Sequence, residues 1–370
     1  MSKSSDNEAT QVANSTLESP PLRTNMSRGI SGDRIFHALV YVCAAVVILM
    51  IAGLLFVLTS ASMESFKAFG WKFLVTTERN LEGQKHFQKD ANGKIVRDDD
   101  DQPIVLKVDK PTFGALPVIY GTAVSSAMAL LFAVPFSLGA ALFLIRIAPT
   151  LRPQLPNGKK LPIDLWISFV IEFLAAIPSI AYGLWGVLIL VPFMSKHVDP
   201  NLNSFFGWMP GLQFLHTNGN SGGRDMLTGS LVLAIMIIPI ITAVSRDVLR
   251  AVPNTLVEGS LALGATWWQS CREMLRYARS GLFGAIMLGL ARASGETMAV
   301  TMVIGNSLEI HSSPLLGAQT MSGLLANEFG NASGLHRAAL LEVALILLVM
   351  SLVFNVIARS LIVGNKGAKV

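Results

Sequence analysis

The chain has 370 residues, of which 52% are hydrophobic and only 14% are charged, and its mean hydropathy is +0.53. Soluble domains carry roughly 25% charged residues, so this composition excludes an ordinary soluble protein and predicts an integral membrane protein. The net charge of +5 gives no reason to expect a nucleic-acid partner, and the two cysteines and six scattered histidines show no disulfide or metal-ligand spacing.

Six apolar segments, found in a window of about twenty residues, predict an all-α polytopic membrane protein with six transmembrane helices. The first segment is expected to be retained, because about 34 polar residues precede it and no small-residue cleavage site follows closely. Residues 1–33 are predicted to be a disordered cytoplasmic tail. The six segments are 35–58, 117–145, 166–194, 227–244, 282–304 and 338–362.

The positions of lysine and arginine predict that both termini are cytoplasmic, because basic residues accumulate on the cytoplasmic side of membrane helices. With the N-terminus inside, the cytoplasmic stretches and the end of the last helix hold 16 basic residues. The two shorter external loops hold only three. The cytoplasmic stretches are 1–34, 146–165, 245–280 and 363–370, with Arg359 at the helix end, and the shorter external loops are 195–226 and 305–337.

Residues 59–116 are predicted to form a small extracytoplasmic domain between the first helix (34–58) and the core (117–363). A tight turn with the sequence DANG at 90–93 predicts a hairpin between 85–89 and 94–97. The acidic run at 98–101 suits a solvated surface better than a cation site. Four aromatic residues are expected either to form a modest core or to rest on the membrane interface: Trp71, Phe73, Phe87 and Phe113.

The third segment contains one acidic residue, and Pro178 lies near its middle. Glu172 lies near the predicted cytoplasmic end, where snorkelling to the interface or helix packing is a better interpretation than contact with a substrate. Pro178 is expected to kink the helix, because proline has no backbone N–H and its ring clashes with the preceding turn.

The loop at 245–280 predicts two short helices that form a rigid knob in the cytosol. Asn254 or Thr255 is expected to cap the first helix, and Gly264 to end it. The second helix is amphipathic and basic and carries Arg272, Arg276 and Arg279 back to the membrane. An ordinary amphipathic loop lying on anionic lipid is the alternative interpretation.

The fifth segment carries Arg292 and Glu296 near the bilayer midplane. A charge there costs roughly 2.5–3.5 kcal/mol on insertion scales, so each residue is expected to face protein or water. The four-residue spacing places Glu296 on the same helix face as Arg292. We consider two interpretations: a structural ion pair that locks two helices together, or a polar step on the path of a hydrophilic solute.

The loop 252–268, which reads VPNTLVEGSLALGATWW, resembles the EAA loop of the type I ABC importer permeases. Glu258 and Gly264 stand six residues apart, with Gly259 and Ser260 in place of the usual two alanines. That family's motif continues to an Ile-x-Leu-Pro ending, whereas this chain has Met274, Arg276 and Tyr277 at the corresponding positions. The resemblance implies that residues around 255–266 form the coupling helix, which docks in a groove of a cytoplasmic ATPase subunit.

Three further stretches are similar to the PstC permeases of phosphate importers, a group within that family. They are FGALPVIYGT at 113–122, IEFLAAIPSIAYGLWG at 171–186, and LGLARASGETMAVTMVIGN at 288–306. The run after Glu296 differs from that of the partner permease PstA, so it favours the PstC group. The similarity covers roughly residues 33–363.

This resemblance implies a permease that imports inorganic phosphate by alternating access, with three kinds of partner besides membrane lipid. They are a second, PstA-like permease, a PstB-like ATPase dimer that uses ATP and Mg²⁺, and a PstS-like external phosphate-binding protein. The chain itself contains no P-loop of the form G-x-x-x-x-G-K-S/T. Two rivals are an importer of another oxyanion, such as phosphonate, sulfate or molybdate, and a secondary transporter that uses Arg292 and Glu296 as a relay.

Small residues accompany the charged pair along one face of the predicted fifth helix, which suits close packing at a subunit interface. Arg292 offers a planar fork of up to about five donors that matches phosphate oxygens. Glu296 is expected either to hold the guanidinium or to accept a hydrogen bond from the proton that phosphate carries and sulfate lacks. Thr297 and Thr301 are further candidates for the path or for packing. The face comprises Gly281, Ala285, Gly289, Arg292, Glu296 and Ala299.

Overall fold

The computed structural model describes residues 32–80, 85–87, 104–108, 112–150, 163–209, 212–217 and 222–364. The chain divides into two compact units between Leu55 and Phe56. The described part of the first unit is the beginning of helix α1 (Gly32–Phe69), whose residues are exposed almost throughout. The predicted tail lies outside the described residues except for its last two positions.

The second unit consists mainly of helices, with four short strands among its described residues. After α1 come α2 (Lys72–Val75), β1 (Arg79–Asn80), β2 (Lys85–Phe87), β3 (Val105–Val108) and β4 (Thr112–Phe113). The next helices are α3 (Leu116–Leu142), extended by a π-helical turn (Phe143–Ile147), α4 (Ile163–Ala176), α5 (Ser179–Trp208), α6 (Met226–Arg250) and α7 (Asn254–Ala262). The last are α8 (Trp267–Gly295), α9 (Met298–Val303), α10 (Met321–Glu328) and α11 (Gly334–Gly364).

Five helices of the described part are long and apolar enough to cross a membrane. They are α1 from Arg34, α3 with its π turn, α5, α6, and α11 as far as Ile357. They correspond to the first, second, third, fourth and sixth predicted segments. The multi-pass membrane protein expected from composition is therefore confirmed.

The third and fifth segments differ from prediction because each is broken. α4 ends before Pro178, whose φ of −57° and ψ of 136° leave the helical region, and α5 then runs on to Trp208. The proline that was expected to kink the helix interrupts it, because it removes a donor and restricts the preceding residue. In the fifth segment α8 ends at Gly295 and α9 begins at Met298, so the single helix predicted over 282–304 is wrong.

Helix α6 is the centre of the second unit, since 67% of its most apolar window is buried. It packs against α3, α4, α8 and α9. Asp225 caps its first turn by accepting a hydrogen bond from the Thr228 amide at 2.8 Å. The buried cluster around it includes Ala129 and Ala133 of α3, Leu233, Ile237 and Ile241 of α6, and Ala285 of α8.

The aromatic residues of the predicted external domain divide between core and surface. Phe73 and Phe113 are buried and stack with ring centroids 5.3 Å apart, whereas Trp71 is 77% exposed. β1 pairs with β4, and β2 pairs with β3. Strand β2 lies within the first arm of the predicted hairpin, but its described partner is β3 at 105–108. The turn at 90–93, the second arm at 94–97 and the acidic run at 98–101 lie outside the described residues.

Arg79 fastens β1 to α10. Its guanidinium donates from Nη1 to Glu328 Oε1 at 2.7 Å and from Nη2 to Glu328 Oε2, and it lies 4.7 Å from the centroid of the Phe113 ring. Burial lowers the pKa of Arg79 from its ordinary value. A charge-assisted bidentate pair of this kind fixes orientation as well as adding energy.

Two glycines of α3 provide a test of how α10 is positioned. A Cβ added at Gly121 would lie 2.1 Å from the backbone oxygen of Gln319, whereas one added at Gly139 would meet nothing within 4 Å. We expect Gly121→Ala to destabilise the protein by about 1–3 kcal/mol, because the obstacle is backbone and cannot rotate away. Gly139→Ala is expected to leave stability unchanged or to raise it by up to about 1 kcal/mol. Thermal unfolding of the two purified variants in detergent checks this, and equal midpoints would contradict it.

Candidate functional site

The charged pair of the fifth segment lies at the break between α8 and α9. Glu296 has an extended backbone, with φ −69° and ψ 131°, and its carbonyl accepts a hydrogen bond from the Ser322 hydroxyl at 2.6 Å. Its carboxylate lies 3.5 Å from the Ala299 amide in the first turn of α9. The prediction that Glu296 continues the helix is therefore wrong, because contacts to α10 and α9 replace the helical hydrogen bonds.

Arg292 and Glu296 form an ion pair in spite of the break, but their environments are unequal. Arg292 Nη2 lies 3.8 Å from Glu296 Oε2, and the side chains are 47% and 6% exposed respectively. Within the described part of the chain, Arg292 has no other hydrogen-bond or ion-pair partner. The buried carboxylate is fixed by its surroundings, while most of the guanidinium donors remain available to a ligand.

The packing of α8 on α6 gives the depth of Arg292. A Cβ at Gly281 would lie 2.5 Å from Val248, and one at Gly289 would lie 2.5 Å from Ile241. The two helices are therefore antiparallel. The eight-residue step from Gly281 to Gly289 along α8 matches the seven-residue step from Val248 back to Ile241 along α6. Three more residues from Gly289 bring Arg292 level with Ile238, the midpoint of α6 (Met226–Arg250). A half-exposed charge at that depth requires protein or water rather than lipid beside it.

The small residues of α8 that precede Arg292 pack inside the chain. Gly281 and Gly289 receive side chains of α6, and Ala285 is fully buried. The close packing predicted for these three residues is therefore made with α6 of the same chain. Arg292 lies on the exposed side of α8, one turn after Leu288, which is 50% exposed.

Thr297 and Thr301 follow the break between α8 and α9, and both hydroxyls donate hydrogen bonds to nearby backbone carbonyls. The Thr301 hydroxyl donates to the Thr297 carbonyl at 2.7 Å, and the Thr297 hydroxyl donates to the Gly295 carbonyl at 3.3 Å. A Cβ on Gly323 of α10 would meet the Thr301 hydroxyl at 2.8 Å. In this conformation Thr301 packs between α9 and α10, and Thr297 is half-buried at the start of α9.

Glu172 takes part in helix packing through an arginine that the sequence analysis treated only as a topology signal. Arg246, 9% exposed, donates from Nη2 to Glu172 Oε1 at 3.1 Å and from Nε to Asp247 Oδ1 at 3.0 Å. The two carboxylate side chains are 57% and 63% exposed. The ion pair joins α4 to α6 near the end of α6 that precedes α7.

The predicted knob is present as helix α7 followed by a glycine bend, but its second helix is the beginning of the 29-residue α8 and not a short helix. The helix begins at Asn254 with Pro253 before it and no side-chain cap, so the predicted cap at Asn254 or Thr255 is wrong by one or two residues. Gly264 ends the bend with φ +84°, a conformation that favours glycine. Glu258 and Gly259 are exposed, and the Ser260 hydroxyl donates to the Val257 carbonyl at 2.8 Å.

The knob is rigidly attached at both ends. Val257 is buried with Leu249 and Val252 from the end of α6 and with Met274 of α8. Thr266 and Gln269 form a reciprocal capping box at the start of α8. Leu263, at the tip, is 91% exposed. An apolar tip on an anchored base suits insertion into a partner's groove.

A third acidic residue inside a predicted span, after Glu172 and Glu296, was missed in the sequence. Glu342 of α11 is 7% exposed and lines a cavity of about 640 Å³ whose other lining is almost wholly apolar. The cavity lies between α11 and the part of α1 from Thr59 onward. The signal that could have revealed Glu342 was present, because an acidic residue within a 24-residue apolar helix is unusual.

Known proteins resemble this chain over most of its length. The family described as "Binding-protein-dependent transport system inner membrane component" matches residues 156–362, more than half of the chain. The phosphate transport system permease protein PstC of Haemophilus influenzae is 38% identical over 91% of this chain and 95% of its own length. The corresponding PstC of Mesorhizobium japonicum is 37% identical over 88% and 89%, and that of Xylella fastidiosa is 43% identical over 67% and 73%.

The ion pairs of Arg246 give a prediction of non-additivity. Glu172→Gln alone and Asp247→Asn alone are expected to cost under about 1 kcal/mol each, because both carboxylates are exposed and the other one still neutralises the arginine. The double variant leaves a buried guanidinium without a counter-ion, so we expect it to cost more than the sum of the two. Thermal unfolding of the four proteins measures this cycle, and strict additivity would contradict it.

Proposed function

The chain belongs to the family of binding-protein-dependent transport system inner membrane components and to its PstC group, and we propose that it carries inorganic phosphate across the cytoplasmic membrane. In this proposal it is a multi-pass permease subunit of an ATP-driven importer. The partners are a second permease, an ATPase dimer that uses ATP and Mg²⁺, and an external phosphate-binding protein. The absence of a G-x-x-x-x-G-K-S/T motif from the sequence agrees with hydrolysis on a separate subunit.

The observation that carries this proposal is the unequal exposure of the Arg292–Glu296 pair. A structural pair that only locks helices would bury both members, whereas Arg292 is 47% exposed at the depth of the middle of α6. Its planar fork can donate to two phosphate oxygens at once, which an ammonium cannot do with the same geometry. In the assembled importer, Arg292 would therefore face the anion path beside the second permease.

Glu296 is placed to limit how tightly Arg292 holds the anion. Its carboxylate is 6% exposed and lies 3.8 Å from Nη2, so it neutralises part of the guanidinium charge without projecting into the path. An anion attracted by a partly neutralised arginine can also leave, which transport requires. Because Glu296 is buried, we favour this role over a direct hydrogen bond from the phosphate proton to its carboxylate.

The knob would transmit ATPase movement to the pair through α8. Helix α8 has 29 residues, a length of about 43 Å at a rise of 1.5 Å per residue. It begins at the capping box next to Gly264 and ends at Gly295, immediately before Glu296. A displacement of the knob therefore moves the charged pair as part of one rigid element. Glu258, Gly259, Ser260 and Gly264 are the proposed coupling residues.

Two rival functions share the same architecture. An importer of phosphonate, sulfate or molybdate would use the same helices and differ in its binding protein and in the selectivity of uptake. A secondary transporter with an Arg/Glu relay would work without ATP. The exposed knob favours an ATP-driven importer, and loss of uptake when the ATPase is inactivated would separate the two classes.

Substitution of Arg292 tests the path directly. In a strain lacking this chain, we expect Arg292→Gln to lower the initial rate of phosphate uptake roughly 10- to 100-fold, since a charge-assisted hydrogen bond contributes about 1.5–3 kcal/mol. The control is Arg276→Gln in the same helix, where the arginine is 60% exposed and pairs with Glu273; it should retain wild-type uptake. Phosphate and sulfate uptake are measured in parallel, with equal membrane amounts of each variant.

Glu296→Gln should lower phosphate uptake without admitting sulfate if the carboxylate holds Arg292. A gain of sulfate uptake would instead show that Glu296 distinguishes phosphate from sulfate by the proton that phosphate carries. Wild-type uptake by both Arg292→Gln and Glu296→Gln would overturn the path, and restored uptake in the Arg292→Glu, Glu296→Arg exchange would favour a structural pair.

Gly264 tests the knob. We expect Gly264→Ala to lower ATP-dependent uptake several-fold, because a non-glycine residue at φ +84° costs roughly 1–2 kcal/mol and reorients the tip. Gly222→Ala is the matched control: Gly222 has φ +63° and nothing within 4 Å of an added Cβ, but it lies far from the knob in the chain. Equal loss in both variants would indicate general strain and contradict a coupling role.

A further inference from the structure

A small polar cavity lies at the base of the knob, away from the Arg292–Glu296 pair. It has a volume of about 320 Å³ and is enclosed by the π turn of α3, the end of α6, the start of α7 and the wall of α8. Small-molecule sites span roughly 300–1,000 Å³, so this cavity suits an ion or a headgroup. Its lining includes Arg146, Asp164, Arg250 and Asn254.

Two arginines in this lining have no partner within the described part of the chain. The Nε of Arg146 is buried and makes no hydrogen bond. Arg250 in the last turn of α6 makes no ion pair there either. An unsatisfied buried donor costs roughly 1–3 kcal/mol, so water or a ligand in the cavity has to supply the acceptor.

The local backbone adds to the positive character of the cavity. Arg146 belongs to the π-helical turn Phe143–Ile147, a form that is frequent at functional sites. Asn254 is the first residue of the nine-residue helix α7, so the positive end of that helix dipole lies at the cavity. Asp164 is the one carboxylate of the lining, so the two arginines still outnumber it.

We propose that this cavity is a phosphate-group site, separate from the transport path, in which Arg146 and Arg250 bind the anionic oxygens. The shared ligand chemistry is a phosphate mono- or dianion, which either free inorganic phosphate or the headgroup of an anionic phospholipid can supply. A phosphate group held by both arginines ties the end of α3 to the end of α6, immediately before the knob. The site thereby links the occupancy of a phosphate ligand to the mobility of α7.

The test is amide hydrogen exchange of the purified importer complex in nanodiscs, which requires no transport. One arm uses phosphatidylcholine nanodiscs with and without inorganic phosphate, against sodium chloride of equal ionic strength. The other arm compares phosphatidylglycerol with phosphatidylcholine nanodiscs in the absence of phosphate. We expect residues 251–258 to exchange at least threefold more slowly with the phosphate ligand present.

The variants are Arg146→Gln and Arg250→Gln, with Arg272→Gln as control, because Arg272 is an exposed arginine of α8 that does not line the cavity. The first two should lose the protection, and the control should keep it. Unchanged exchange over 232–241, in the buried part of α6, shows that each variant is folded.

Protection in the phosphate arm assigns a free-anion site, and protection in the phosphatidylglycerol arm alone assigns a lipid-headgroup site. The proposal is overturned by no protection in either arm, by equal protection with chloride, or by protection that persists in Arg146→Gln and Arg250→Gln. Because the readout is independent of uptake, these results stand whether or not phosphate is the transported ion.

Discussion

The close packing of α8 on α6 is the constraint on which the rest of the structure depends. Gly281 and Gly289 let the two backbones approach until the side chains of Val248 and Ile241 fill the space that a Cβ would occupy. Ala285 is fully buried between them, so the two helices are closely packed along this face. This packing fixes the depth of Arg292, whose side chain is 47% exposed. It also connects the knob to the charged pair through one continuous helix.

Helix α8 ends at Gly295, next to the charged pair. At Glu296 the backbone leaves the helix, and the Ser322 hydroxyl of α10 donates a hydrogen bond to the Glu296 carbonyl. Glu296 is buried by this arrangement and Arg292 is left half-exposed, so the pair is a partly neutralised cation facing outward. The Arg246 cluster has the opposite arrangement, with a buried cation and exposed carboxylates. The first suits transient contact with an anion, and the second suits helix attachment.

Sequence reasoning was most successful where hydropathy or a single local residue decides the outcome. Five of the six predicted spans follow from apolar runs, and Pro178 and Gly264 act locally at a helix break and at a helix end. Prediction from the sequence failed where contacts with residues distant in the chain determine the structure. The end of α8 depends on Ser322, which is 26 residues from Glu296 in sequence, and Gly281 and Gly289 pack against α6 of the same chain. Helical periodicity continues through 282–304 and contains no signal for either contact.

The central claim is that the exposed side of α8 around Arg292 lines a water-accessible path in the assembled importer. Cysteine at Leu288, one turn before Arg292, tests it in protein from which Cys43 and Cys271 have been removed. We expect a membrane-impermeant maleimide to label Leu288→Cys from one side of the membrane at rest and to lose access when the ATPase is trapped with vanadate. Leu131 on α3 is 71% exposed, and we expect it to face lipid, so that Leu131→Cys remains unlabelled. Absence of labelling at Leu288→Cys from both sides in every state would contradict the claim.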